Sequence, residues 1–588
     1  MVIFQPKQYR GAGSGALHLL LGFCRWARAA TPWGMTWSSE SYGPDGPWNA
    51  VQVSIGSPGQ TIALYPGSTW ESKILLSYAC DNTSLSSVCY ADKAGVFDPE
   101  ESTTWDNKSI QLPPTGFDWE SYIPGHTNAV PTEVIARRAL DSIDIGGGTV
   151  VPEVDLVGIS QAYQTYPGGQ EYPLQVGLLS LGALYINHTF DQVDDEPAIN
   201  GTFITSWLWE ESTIESYSYG LHIGSASLGI PGSLLLGGYD KNRALGDVSA
   251  QPFSGGNYPI QLLDIGLGVA GGGSPWNFLN KTGFLAKDNS SLETGITVQA
   301  STADPYLYLP QSSCDAIAAE LPVVYQSDYG LYFWNTSDSR YSQIVTSPSY
   351  LAFTFSKNGL NNADITINVP FALLNLTLEP PLIDTPTPYF PCMGTDSTYA
   401  LGRAFFQAAF IGVNWNQGVG NWFIAQAPGP GYSTTVDRTN IEASASTITG
   451  SGSSWEAGWT RYWIELPKSS NSNSNPSSNF NSSSSASPSP NGNEPDSGLS
   501  AGANAGIGVG CAVGAALVIA LLVWFFFLRH RRQSDRALYP NGRGEQTAMV
   551  PPSFPTSVVN HFAKSDEVHE MAEDRSHQHE GPYELYER

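Results

Sequence analysis

An uncharged run of 24 residues, Ala505–Leu528, constrains this 588-residue chain more than any other feature. It is long enough to cross a bilayer as one helix. Arg529-His-Arg-Arg532 follows at once, which places the tail 529–588 in the cytoplasm and everything upstream outside or in a lumen. The N-terminus fits that route. Lys7 and Arg10 precede the apolar Gly15–Phe23, and Ala27-Arg28-Ala29 offers an A-x-A cleavage site, so 1–30 reads as a signal peptide. His18, Arg25 and Trp26 interrupt the pattern, and a misassigned start codon is the alternative. The expectation is a single-pass type I protein of the plasma membrane or another secretory-pathway membrane.

Within the span, Gly506, Gly510 and Gly514 recur at four-residue spacing, a pattern that allows weak homodimerisation. Just before it, Ser469–Ser500 is almost entirely Ser, Asn, Pro and Gly. Such a segment buries too little apolar surface to fold and reads as a stalk. Gly431–Pro467, with Trp455, Trp459, Tyr462 and Trp463, is apolar enough to pack onto the region before it. The tail is polar and charge-mixed and reads as disordered; Tyr583 and Tyr586 near its end have the type of sorting or docking residues.

The net charge of −27 makes nucleic acid an unsuitable partner. The acid is concentrated in 31–467, which holds 14 Lys+Arg against 42 Asp+Glu. Cys24 and Cys511 fall in the two apolar segments, leaving Cys80, Cys89, Cys314 and Cys392 for an oxidising compartment. Four cysteines allow three pairings; local closure favours Cys80–Cys89, which leaves Cys314–Cys392. Eight glycosylation sequons mark the same region, at Asn82, Asn107, Asn187, Asn200, Asn280, Asn289, Asn335 and Asn375, and Asn481 adds one in the stalk.

Residues 48–430 read as short strands broken by Gly, Pro and Asn, an all-β region. One helix is expected at Ser312–Leu321, capped by a serine ahead of Asp315. Two loops dominate the functional reading. Val51-Gln-Val-Ser-Ile-Gly-Ser-Pro-Gly-Gln60-Thr-Ile-Ala-Leu64 leads into Tyr65-Pro66-Gly67-Ser68, and Ile296-Thr-Val-Gln-Ala300 leads into Ser301-Thr302-Ala303. Further segments follow in order: Asp141-Ser-Ile-Asp-Ile-Gly-Gly147, Val176-Gly-Leu-Leu-Ser-Leu-Gly182, Gly232-Ser-Leu-Leu-Leu-Gly-Gly-Tyr-Asp240, Leu401-Gly-Arg-Ala-Phe-Phe406 and Phe423-Ile-Ala-Gln-Ala427. This ordered set resembles the pepsin-like aspartic peptidases, and the resemblance covers most of 48–430. It implies a bilobal all-β fold with an N-terminal lobe at 31–250, a C-terminal lobe at 251–430, an extension and stalk at 431–504, and one C-terminal transmembrane helix at 505–528. The disulfide arrangement above also resembles that family's.

The family places an Asp-Thr-Gly or Asp-Ser-Gly in each of the two loops. Its chemistry needs two carboxylates close enough to share one proton, one ionised to activate water and one protonated to donate. Here Tyr65 and Ser301 occupy those positions. A phenol titrates near 10 and does not serve as an acid-pH base. Pro66 lacks a backbone N–H, and Ala303 replaces the glycine of the second loop. The acids nearest Tyr65 in sequence are Asp45, Glu71 and Asp81, and Asp304 follows Ser301; rescue at both positions is not expected. Tyr122, in Tyr122-Ile-Pro-Gly125, stands where the family carries a flap tyrosine.

Other chemistries have less support. Gly266-Leu-Gly268-Val-Ala-Gly271 is followed by Gly272, Gly273, Ser274 and Pro275 rather than a helix, so it reads as a hairpin turn. There is no HExxH, paired CxxC, Walker loop or GxSxG, so neither a metal nor a cofactor is expected. The reading is a catalytically silent ectodomain that binds a peptide, protein or glycan in its inter-lobe cleft, through Tyr65, Gly67, Ser68, Tyr122, Ser301 and Thr302. The alternatives are an active membrane-anchored aspartic endopeptidase with a divergent site, and a cell-surface sensor or cell-wall protein of fungal type.

Overall fold

The computed structural model describes residues 30–468 except 68, 85, 111–128, 193–196, 255, 360–362, 417–419 and 433–434. Ser68, Tyr122, residues 1–29 of the expected signal peptide, the stalk Ser469–Ser500, the apolar run 505–528 with its three glycines, and the tail therefore lie outside the described residues. Among the described residues no helix is long and apolar enough to cross a membrane.

The chain is built mostly from β-strands, and their burial follows the two-residue alternation of a pleated strand. In Ser349–Ser356, Leu351, Phe353 and Phe355 point inward; in Trp48–Ile55, Val51, Val53 and Ile55 do so. Among the described residues, helices are few and short. The helix expected at Ser312–Leu321 runs Gln311–Ala318 and starts after Pro310, with no side-chain cap. Proline fixes the extended entry, and its carbonyl accepts the Ser313 and Cys314 amides at 2.9 and 3.1 Å, so a serine cap two residues later is not needed. The glycine-rich Gly266–Gly273 forms the end of strand Pro259–Val269 and the turn after it, with no following helix.

A ten-stranded sheet is drawn from residues 37–202 and an eight-stranded sheet from 259–401. The same local arrangement occurs in each. Strand Gln60–Gly67 pairs in parallel with Gly177–Ser180, and strand Ile296–Ala300 pairs in parallel with Ala400–Leu401. A six-stranded sheet joins the two regions. In it Ser218–His222 runs antiparallel to Ala409–Asn414, with Gly220 opposite Gly412, and Leu245–Pro252 runs beside Asn421–Gln426. Residue 250 thus lies inside a strand whose partner comes from the far end of the chain. Disulfides close Cys80–Cys89 and Cys314–Cys392. None of the eight sequon asparagines in this region is buried.

The segment after 430 is part of the fold. Arg438–Asn440 pairs with Gly238–Asp240, the Gly273 amide donates to Leu466 O at 2.7 Å, and the Ile464 amide donates to Thr346 O at 2.9 Å. Trp459 is 2% exposed and stacks on Trp463 at 5.4 Å. Gly429 lies flat against it: a Cβ at that position would come within 2.4 Å of the Trp459 indole nitrogen. Truncating so large a buried ring costs about 3–5 kcal/mol. Trp459→Ala is therefore expected to lower stability by that amount in urea unfolding; a change under about 1 kcal/mol would mean the extension is not packed.

Candidate binding cleft

The two loops that drew attention in the sequence meet. Thr302 Oγ1 donates to Pro66 O at 2.8 Å, a buried bond between groups 236 residues apart. Pro66 has no N–H to give, but its carbonyl holds the opposite loop. Tyr65 and Ser301 flank this contact and are buried, at 5% and 0% exposure. Among the described residues, neither the Tyr65 hydroxyl nor the Ser301 hydroxyl has a hydrogen-bond partner. Gly67 ends its strand with a backbone that any residue could adopt, so it is not required there by conformation.

The group that organises the junction is Arg403, the first residue of the short helix Arg403–Phe406. Its guanidinium carbon lies 4.3 Å from the Tyr65 ring centre and 5.2 Å from that of Trp48. Nη1 donates to Ala303 O at 2.7 Å, and Nη2 lies 3.7 Å from Asp45 Oδ2. Asp45 Oδ1 accepts the Trp48 indole N–H at 2.9 Å, and Tyr389 Oη donates to the Asp45 carbonyl. Gly43, with φ +107°, leaves space beside this cluster: a Cβ would come within 2.7 Å of the Tyr65 hydroxyl.

Above the junction is a cavity of about 130 Å³, lined among others by Tyr65, Asp45, Lys73, Asp304, Tyr166 and Arg403. At roughly 10–15 Å³ per water-sized site this is room for about ten atoms, a side chain or a compact polar group rather than a large cofactor. Tyr166 and Tyr306 share a hydrogen bond of 2.7 Å across its wall. Burial pushes the Tyr65 phenol far above its ordinary 10, only partly offset by Arg403, so it stays neutral. Burial also raises the Asp45 carboxyl, with Arg403 and the Trp48 bond opposing. Lys73 is lowered to about 8 by burial, against the pull of Glu71 and Asp304.

Two carboxylates, Asp45 and Asp304, thus reach the cavity despite being absent from the two motif positions. Arg403 pairs with Asp45, while Lys73 is drawn first to Glu71 and then to Asp304. Arg403 and Lys73 were not among the sequence expectations. The signal for Arg403 was legible: an arginine inside Leu401-Gly-Arg-Ala-Phe-Phe406 is a charge in an apolar run, which folds only if paired. Lys73 carried no such signal.

No protein-family model and no curated protein matches the chain. The site is therefore interpreted from its own chemistry.

Lys73 supplies a test of that chemistry. Its proton is held at about 8 in the folded chain and near 10.5 in the unfolded one, so between those values the native state binds fewer protons. Stability owed to this residue therefore rises with pH across that window. The difference in unfolding free energy between the wild type and Lys73→Met is expected to move in favour of the wild type from about pH 8 to about 10.5. A difference that stays flat over that range contradicts the burial of the ammonium.

Proposed function

We propose that this chain is a single-pass membrane glycoprotein whose ectodomain has the bilobal fold of the pepsin-like aspartic peptidases and binds a peptide segment of a ligand without cleaving it. The observation that carries the reading is the junction itself: two similarly built loops joined by Thr302 and Pro66, with Tyr65 and Ser301 at the positions of the family's acids. Support for the fold comes from the repeated parallel pairing behind each loop and from the sheet shared by the two regions. Support for a secretory route comes from the two disulfides, the accessible sequons and the apolar run 505–528.

Extended peptides suit the site because its polar groups face a narrow cavity at a seam between sheets, and main-chain carbonyls can use the donors there. An active peptidase is the competing reading, since Asp45 and Asp304 line one cavity. The pairing of Asp45 with Arg403, which already commits that carboxylate, argues against it.

The test is peptide cleavage at acidic pH by the full-length chain in detergent, with and without pepstatin. Beside it runs the variant Tyr65→Asp/Pro66→Thr/Ser301→Asp/Ala303→Gly. The unmodified chain is expected to show no pepstatin-sensitive cleavage, and the restored variant to gain it. Pepstatin-sensitive cleavage by the unmodified chain that disappears in Asp304→Asn would establish the competing reading instead.

A further inference from the structure

Away from the cavity floor, three side chains with metal-binding atoms converge from separate parts of one sheet. Glu71 precedes strand Ser72–Leu75, Asp155 sits on Val150–Thr165 and His188 on Asn187–Phe190. One ligand atom from each lies within 4.8 Å of the other two. Glu71 and Asp155 are buried, at 4% and 1% exposure, while the His188 side chain is 29% exposed and leaves a way in from solvent.

We propose that Glu71, Asp155 and His188 form a binding site for a divalent transition-metal ion of the Zn²⁺ type. The donor set, two carboxylate oxygens and one imidazole nitrogen, is one such ions accept, with water completing the coordination. The His188 Nδ1–Asp155 Oδ2 separation is 3.3 Å. A charge-assisted hydrogen bond between these groups would be shorter, about 2.7–2.9 Å. By contrast, two ligands held about 2.0–2.1 Å from one tetrahedral ion lie about 3.3–3.4 Å apart. The pair thus already stands at the spacing of a coordination edge, and the Glu71 side chain completes the site by closing on it.

The surroundings are those of a prepared site. Gly201 lies directly opposite His188 in the strand pairing, on the strand between His188 and Asp155. A Cβ at Gly201 would come within 3.0 Å of Asp155 Cβ and 2.8 Å of the Phe190 ring, so its absence lets the two ligands reach past the intervening strand. Trp70 packs edge-on to the His188 ring at 4.5 Å and Phe190 at 4.2 Å, which fixes its orientation. Arg138 Nε donates to Glu71 Oε1 at 2.7 Å, the outer hydrogen bond that ligating carboxylates usually carry. The three ligands have no motif spacing, which is why the sequence led to no expectation of a metal.

The site is tested on the full-length chain in detergent, stripped with chelator and titrated with Zn²⁺ at neutral pH, reading bound metal per chain and the melting temperature. One equivalent is expected to bind at micromolar affinity or tighter and to raise the melting temperature. His188→Ala and Glu71→Gln should each weaken binding at least tenfold. Because His188 is partly exposed and Glu71→Gln keeps the side-chain size, the metal-free melting temperatures of both variants report whether they fold. Absence of a bound equivalent overturns the proposal. So does Zn²⁺ bound equally well by both variants, which would place it on histidines elsewhere, such as those from His561 to His579.

Discussion

A buried guanidinium dictates the shape of the cleft. Arg403 is 6% exposed, and a charge so placed is tolerated only with close partners. It obtains four of them from three separate stretches of chain: the Asp45 carboxylate and the Trp48 ring face, the Tyr65 ring face, and the Ala303 carbonyl. Each contact fixes a different part of the junction. The Tyr65 ring supplies an attractive face for the cation, so a guanidinium and an aromatic face together hold the centre of the site.

The remainder of the fold keeps that centre in place. Arg403 begins a helix whose Phe405 packs edge-on against Phe353 at 5.3 Å, and the chain then enters strand Ala409–Asn414 of the shared sheet. The loop opposite is tied through Thr302 to Pro66. The extension beyond 430 pairs with Gly238–Asp240 and hydrogen-bonds to Gly273 and Thr346, with Trp459 as its anchor.

How much of this was legible in the sequence follows from the range of each interaction. Strand alternation and the turn glycines are local, so the all-β character and the Gly266–Gly273 turn could be read directly. The short disulfide loop Cys80–Cys89 was likewise within reach, and Cys314–Cys392 followed by elimination. The helix near Cys314 was placed two residues late because a serine was taken as the cap where Pro310 sets the entry. The loops around Tyr65 and Ser301 were recognisable, but their contents were not. Asp45 reaches Arg403 across 358 residues, and Glu71, Asp155 and His188 meet only through sheet pairing. No spacing in the sequence encodes such encounters.

The most direct measurement is a double-mutant cycle on Arg403→Met and Asp45→Asn, read as unfolding free energy in urea. Removing one member of a buried pair leaves the other charge uncompensated, and each single variant is expected to lose about 3–5 kcal/mol. Removing both should cost less than the sum, with a coupling of about 1–3 kcal/mol. Strict additivity, or two single variants as stable as the wild type, would contradict an account in which this pair holds the cleft together.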